Sequence, residues 1–329
     1  MNIISTFTQK VHGKGLKLVL PEGHDERIIQ AARRIKDEDI AVPIVLGKPE
    51  QIAKAVESSG VNIDDIETIN PRTSDKLDAY AAKYIEGRDD LSAAIAKRVV
   101  AKPVFYAAMM VATGDADTVV AGAATVTATV IQAGTLAIGL LEGLSTASSY
   151  FLMIIPEFLG QKDKPFIFAD CAVNVDPIAE QLADIAIASA TSAAKLLGDD
   201  PKVAMLSFST KGSASSPSVD KVNAALEIVK TRNPELAIDG EFQADSAIVP
   251  KVAAKKVKEP STVAGNANVL IFPDLDSGNI AYKLTQYMAG AQAIGPFLQG
   301  FATPIADLSR GASVDDIVST SILTLVQLL

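Results

Sequence analysis

The sequence predicts an α/β protein of two domains, each built on a mostly parallel sheet, and three observations carry that prediction. Short apolar runs alternate with amphipathic ones from residue 16 to residue 114. Residues 118–141 then carry no charge, and Gly122 breaks them after the strand-like Val119 and Val120. After a shift in composition over residues 142–149 (EGLSTASS), the alternation of strand and helix begins again. A chain of 329 residues is too long for one ordinary core and fits two domains of typical size.

Residues 16–20 read as a short buried strand ended by Pro21 and Gly23. The run HDERIIQAARRIKDE puts Ile28, Ile29, Ala32 and Ile35 on one face, as an amphipathic helix requires. Residues 42–46 are the next strand, and 49–59 the next helix, closed by Gly60. IETINP reads as a strand; 74–84, about 91–100 and PVFYAAMMVATG read as helices. This rhythm implies a parallel sheet covered on both faces. The second series predicts strands at 151–155 and 165–169, and a helix at 178–197. A strand at 203–208 and a helix at 219–232 follow, then strand-like runs near Ala237 and over 267–272 and a helix at 280–291. The closing segment carries one helix, 314–329, and is expected to rejoin the first domain. The predicted division is 1–142 with 296–329, and 143–295.

Composition excludes several classes of function. A net charge of −9 and a pI near 4.9 argue against a nucleic-acid partner. An anionic substrate must then be held by a few placed cations and backbone dipoles. A single cysteine excludes an internal disulfide and fits a reducing cytosol. The N-terminus lacks an apolar stretch followed by a small-residue cleavage site, so no signal peptide is expected. The uncharged residues 118–141 are too rich in Thr, Gly and Ala for a membrane span and read as a buried strand and helix. No group of His, Cys, Asp and Glu has metal-ligand spacing.

Two stretches near the C-terminus concentrate chemistry. In NVLIFPDLDSGNIAYK a buried strand runs into a polar loop, 274–279, whose Ser277, Gly278 and Asn279 precede a helix. Backbone N–H groups there are placed to face an anion. In DLSRGASVDD, Ser309, Arg310, Asp315 and Asp316 crowd around a glycine. Asp316 fits a capping box with Ser313, and a carboxylate fixed in direction at a helix start also suits a general base. Arg310 precedes that helix, where the dipole disfavours a cation, so it answers a nearby anion: Asp307, Asp315 or a ligand. Ser309 is a hydrogen-bond donor to a substrate or another cap. Arg27, in the first turn of its helix, is in an equally awkward place; Arg88 reads as a surface ion pair or an anion ligand. The loop 209–216 offers Ser209, Thr210, Lys211 and Gly212 to a phosphate, without the spacing of a nucleotide P-loop. Cys171 has no evident His partner and reads as a small buried hydrophobe.

The strings LVLPEGHDERI, FADCAVNVDP, AMLSFSTKGSA, FPDLDSGNIAYK, AIGPFLQG and DLSRGASVDDIV, in that order, resemble the phosphate acetyltransferase and phosphate butyryltransferase family. The resemblance covers nearly the whole chain. It implies a fold like that of isocitrate and isopropylmalate dehydrogenases, with an interdomain cleft, and a reversible reaction, acetyl-CoA plus phosphate to acetyl phosphate plus CoA. It implies Asp316 as base on the coenzyme A thiol, with Arg310 and Ser309 as its catalytic partners. Arg88 and Arg27 are implied at the phosphate and coenzyme end. Ser277, Gly278, Asn279, Lys283, Ser209, Thr210, Lys211 and Gly212 join them as substrate-binding residues. No permanently bound cofactor, a cytoplasmic location and a homodimer are expected, and the apolar IVSTSILTLVQLL packs internally or between two copies. The chain departs from the family at Ile131, Tyr287 and Asn266, where basic residues are expected. Three other readings stand beside the acetyl one. They are a propionyl or butyryl specificity, a catalytically weakened paralogue, and a metal-dependent decarboxylating dehydrogenase, against which the absence of a GxGxxG motif weighs.

Overall fold

The computed structural model describes residues 3–89, 91–198 and 200–329. The chain forms two compact units, 1–142 with 301–329, and 143–300. The return expected at residue 296 falls at 301 because residues 292–299 form a strand of the second unit, paired with its hairpin.

The first unit begins with α1 (Ile3–Val11), β1 (Lys17–Leu20), α2 (Glu26–Asp37), β2 (Val42–Leu46), α3 (Pro49–Ser59) and β3 (Glu67–Ile69). Helices α4 (Leu77–Ile85), α5 (Ala93–Val100) and α6 (Pro103–Ala112) lead to β4 (Thr118–Ala121) and α7 (Thr127–Ala133), which ends in a π-turn, Gly134–Ile138. The expected amphipathic face of α2 is the buried one: Ile28, Ile29, Ala32 and Ile35 are all sealed from solvent. Gly60 ends α3 in the left-handed conformation at φ 71°, which glycine adopts without a Cβ penalty.

The second unit holds β5 (Ser148–Phe158), β6 (Gln161–Ala169), α8 (Ala179–Leu196), β7 (Val203–Leu206), α9 (Pro217–Arg232) and β8 (Ile238–Phe242). Then come α10 (Ala244–Ile248), α11 (Pro250–Lys256), β9 (Val269–Ile271), α12 (Leu275–Met288) and β10 (Gln292–Gln299). The chain returns to the first unit through β11 (Ile305–Asp307) and α13 (Val314–Val326). The uncharged stretch 118–141 divides into β4, α7 and the π-turn, and no described helix is long and apolar enough to cross a membrane.

Within the first unit the strands run β3-β2-β1-β4-β11, every pair parallel. The chain moves outward from β1 in one direction, then crosses to the other side at β4. That reversal is a topological switch point, and in open α/β sheets ligands bind beyond the carboxyl ends of strands at such a point. The loops leaving β1, β4 and β11 meet at those ends.

Within the second unit the strands run β10-β5-β6-β9-β7-β8, parallel from β6 to β8 and antiparallel across β10, β5 and β6. Strands β5 and β6 are longer than expected because Leu159 (φ 49°) and Gly160 (φ 80°) close a tight hairpin whose polar arms extend the pairing past the core. The unit's core joins Phe151, Met153, Phe166, Phe168, Phe242, Leu270 and Phe272.

Candidate active site

Three strand ends of the first unit build the densest cluster of candidate residues. Beyond β1, Glu22 is buried, and its carboxylate accepts the N–H groups of Gly122 (3.0 Å), Ala123 (2.9 Å) and Ala124 (2.9 Å) in the turn after β4. Gly122 takes φ 113°, and a Cβ there would lie 2.5 Å from the Leu308 nitrogen, so the loops after β4 and β11 touch backbone to backbone. Beyond β11, Asp307 is buried and accepts the Thr127 hydroxyl at 2.5 Å through Oδ2, while its Oδ1 is buried without a partner among the described residues. Burial, with the nearby Glu22 charge adding to it, pushes the Asp307 carboxyl up to about 6; the Thr127 bond opposes the shift.

Arg27 ties these loops together. Its Nε donates to Asp25 Oδ1 (3.0 Å), and Nη2 to Asp25 Oδ2 (2.6 Å) and the Ala123 carbonyl (3.1 Å). Its Nη1 donates to the carbonyls of Arg310 (2.9 Å) and Ala312 (2.8 Å). Asp25 is the N-cap of α2 and also accepts the Arg27 N–H at 3.0 Å. The Arg27 guanidinium beside it holds its carboxyl below the usual carboxylate range.

The three residues expected to be catalytic stand on the loop that Arg27 grips. Ser309 and Arg310 are exposed, and the Ser309 Oγ accepts the Gly311 N–H at 3.2 Å. Among the described residues the Arg310 side chain has no ion pair or hydrogen bond with the protein; Asp315 pairs with Arg34, and Asp307 faces Thr127. Both protein anions considered as partners for Arg310 are thereby removed. Asp316 is the third residue of α13. Its Oδ2 accepts the N–H (2.9 Å) and hydroxyl (2.7 Å) of Ser313, whose own Oγ accepts the Asp316 N–H at 3.2 Å. The capping box therefore forms, and it leaves the other carboxylate oxygen aimed from a fixed, exposed position.

Arg88 is half-buried, with its guanidinium 4.4 Å from the Tyr84 ring centroid and donating to the carbonyls of Tyr84 and Leu136. It joins the end of α4 to the π-turn after α7 through these two carbonyls; of the two acids that follow it, Asp90 lies outside the described residues. Ile131, on α7, is half-buried and Asn266 and Tyr287 are exposed, so core packing does not account for the missing basic residues.

In the second unit two expected binding loops are already occupied. Glu241, buried within β8, accepts the Ser209 hydroxyl (2.8 Å) and the Gly212 N–H (2.8 Å) through Oε1. Burial opposes its ionisation, but these bonds outweigh it and leave the carboxyl below its ordinary range. Thr210 is buried against Ser246 and accepts the Gln243 N–H at 2.9 Å; Lys211 donates to Asp239 and the Gly240 carbonyl, each at 2.6 Å. The groups of Ser209, Thr210, Lys211 and Gly212 expected to face a phosphate therefore face the chain itself. Asp170 does the same after β6: it accepts the N–H groups of Ala172, Val173 and Asn174 and the Ser149 hydroxyl. Cys171 is buried in the core, and burial pushes its thiol well above the ordinary range.

The loop expected at 274–279 is instead the first turn of α12. Asp274 is its N-cap and accepts both the N–H (2.8 Å) and hydroxyl (2.7 Å) of Ser277, so the helix starts five residues earlier than the periodicity suggests. Gly278 is buried against the Asp170 carbonyl, where a Cβ would collide, and Asn279 donates to the Cys171 carbonyl at 3.1 Å. Lys283 is exposed, 4.9 Å from the centroid of the Tyr282 ring. These residues gather at the β6 end, while Ser309, Arg310, Asp316 and Arg27 gather in the first unit; each set is coherent by itself.

Sequence reasoning missed Glu22, Asp25 and Glu241, and offers Asp307 only as a partner for Arg310. Three are legible in hindsight as acids at or just beyond the end of an apolar strand (LVLPEGHD, PIAD), where an exposed acid would be ordinary but a buried one must find backbone donors. Glu241 gives no such signal, since it lies within β8. Among the described residues no three His, Cys, Asp or Glu side chains converge as metal ligands.

Residues 2–325 match the family model described as Phosphate acetyl/butaryl transferase. The phosphate acetyltransferase of Thermoanaerobacterium thermosaccharolyticum is 46% identical over 330 residues, covering 99% of both chains. A phosphotransacetylase from Streptococcus pyogenes is 41% identical, with a TM-score of 0.92 over 99% of this chain and 98% of that one. The EutD phosphotransacetylase from Staphylococcus aureus is 40% identical, with a TM-score of 0.90 over 100% and 98%. With the family model matched along almost its full length and relatives this similar end to end, the chain belongs to the phosphate acetyl/butaryl transferase family.

Proposed function

We propose that the chain is a phosphate acetyltransferase, moving an acetyl group reversibly between coenzyme A and inorganic phosphate. One observation carries the reading beyond the family. Beyond β11 a hydroxyl (Ser309), a guanidinium without a protein partner among the described residues (Arg310) and a carboxylate fixed by its capping box (Asp316) share one tethered loop. In the direction of thioester synthesis Asp316 takes the thiol proton, and the thiolate attacks the acetyl carbonyl of acetyl phosphate. The C–S bond forms, the C–O bond to phosphate breaks, and phosphate departs with the electron pair. A thiol with a pKa of about 8.5 is mostly protonated at neutral pH, which is why a nearby base matters. Arg310 and Ser309 steady the charge that develops on the carbonyl and phosphate oxygens. The proposal takes direct attack rather than an acyl-enzyme, and Cys171, the one thiol, is sealed in the core and so is no candidate to carry the acyl group. Substrate-binding roles for Arg88, Ser277, Gly278, Asn279 and Lys283 belong to the same proposal; Ser209 to Gly212 shape their loop around Glu241.

Thioester absorbance tests the reading. Purified protein should consume acetyl-CoA only when phosphate is present. Consumption of butyryl-CoA alone would move the assignment to the longer acyl chain, and no turnover by folded protein would leave a weakened paralogue.

The working form in this proposal is a cytoplasmic homodimer without a permanently bound cofactor; the single buried cysteine fits a reducing compartment. The C-terminal run is spent internally, with Ile317, Val318, Ile322, Leu323, Leu325 and Val326 all buried. Helix α12 instead exposes Ile280, Leu284, Tyr287 and Met288, the last two at 81%, spaced along one face. That stripe supports α12 as the face where two copies meet. Light scattering should give twice the 34.4 kDa chain mass, falling to one chain for Leu284→Glu with Met288→Glu. A wild-type monomer at micromolar concentration would sink the proposal.

A further inference from the structure

We infer that Arg27 is a positioning residue: it fixes the loop carrying Ser309 and Arg310, and holds no substrate phosphate. A guanidinium has five N–H donors in a rigid fork. All five are spent, two on Asp25 and one each on the carbonyls of Ala123, Arg310 and Ala312. The acceptors come from the three loops at the switch point, so one planar group sets the distance between them. Asp25 is in turn fixed as the N-cap of α2, which gives the clamp a rigid base. Arg310 shows the opposite condition, with a side chain that makes no bond to the protein among the described residues. The two arginines thus divide the labour, one building the loop and the other left for the anion.

The inference does not follow from charge alone. Residues 309–312 have few other anchors among the described residues: Ala312 N–H donates to the Ser309 carbonyl at 2.9 Å and Gly311 N–H to the Ser309 hydroxyl, while Leu308 N–H is tied to the Ala121 carbonyl at 2.7 Å at one end and Ser313 to Asp316 at the other. Without Arg27 the two inward carbonyls lose their donors, and the loop is held mainly at its ends. A misplacement of about 1 Å in a reacting group can cost roughly a hundredfold in rate. Lysine cannot substitute, because its ammonium is a point charge with three donors and no fork.

The inference rests on the proposed activity only in its kinetic arm. Arg27→Lys and Arg27→Gln would be compared with wild type in the full chain, after circular dichroism has shown each to be folded. Amide hydrogen exchange is then read at residues 309–313, and kcat and KM for acetyl-CoA and for phosphate are measured. The expected result is exchange at least about tenfold faster in that loop in both variants. With it, kcat should fall about ten- to a hundredfold while both KM values stay within about threefold, the pattern of lost positioning rather than lost binding. Unchanged exchange would overturn the inference. So would a phosphate KM raised about tenfold or more with kcat retained, since that would make Arg27 a substrate ligand. If wild type shows no phosphate-dependent turnover, the proposed function fails, and the exchange arm still decides the role of Arg27.

Discussion

Arg310→Ala should lower kcat/KM for acetyl-CoA and phosphate by about a hundred- to a thousandfold, the usual effect of removing one preorganised donor to a developing oxyanion. The fold should survive, because the guanidinium is exposed and makes no bond to the protein among the described residues. Its backbone carbonyl, which Arg27 holds, remains in the alanine variant. Asp316→Asn should act on kcat more than on KM, by roughly a hundred- to ten-thousandfold for a lost general base. Asparagine keeps an oxygen to accept from Ser313, so the helix start should lose at most about 1 kcal/mol. Both substitutions in one chain should cost less than the product of the two singles, as groups acting as a unit do. Steady-state rates of thioester formation and loss, beside thermal melts, separate these outcomes. Turnover by either variant within a few-fold of wild type would remove that residue from the mechanism.

The second large effect is on stability and comes from Asp307. Its folded pKa is pushed up to about 6 from an ordinary value of 3.8, so the folded state binds the proton more tightly than the unfolded one. A raised carboxylate pKa means that the stability is fully present below pH 3.8 and is lost as pH rises through about 6. The difference of about two units corresponds to a penalty of roughly 3 kcal/mol once Asp307 is ionised. Asp307→Asn removes the charge and keeps an acceptor for Thr127. The amide nitrogen must still be accommodated where Oδ1 has no partner, which reduces the gain. The variant should therefore be more stable than wild type by about 1–3 kcal/mol at pH 7.5, with the gain shrinking towards zero near pH 4. Denaturant melts at several pH values read this directly. A stability difference that stays constant from pH 4 to pH 8 would mean that Asp307 does not titrate as described.

Much of the fold was legible because burial imposes period and length. Strand β2 and helix α3 match their expected bounds, and the buried face of α2 is the one its spacing marks. Helix α1 and strand β10 were not read, the first because IISTFTQKV sits in a polar context. The second was missed because QAIGPFLQ contains Gly295 and Pro296, residues that usually end strands and here shift the register against β5. The start of α12 was hidden by Ser277-Gly278-Asn279, a turn-like string that makes a helical first turn once Asp274 caps it. In the candidate site, Ser309, Arg310 and Asp316 stand out in the sequence because several polar types crowd one short string. The role of Arg27 was not readable, since its acceptors lie at residues 25, 123, 310 and 312 and are carbonyls in three cases out of four. Sequence shows which side chains are near one another along the chain, and seldom which main-chain carbonyl turns inward.

The buried acids have a consequence for how this protein lives with its own substrate. Free phosphate is both a reactant and a common solute, and every vacant ring of backbone N–H groups is a place where it can lodge unproductively. Glu22 and Asp170 each fill such a ring from within the chain, and Glu241 takes one N–H and one hydroxyl of its loop. A tethered carboxylate competes as an intramolecular ligand, at an effective concentration set by its short tether and not by what is dissolved. The loops that look most hospitable to phosphate are thereby closed to it. In the proposed mechanism these internal stoppers leave the guanidinium of Arg310, which makes no bond to the protein among the described residues, for the phosphate.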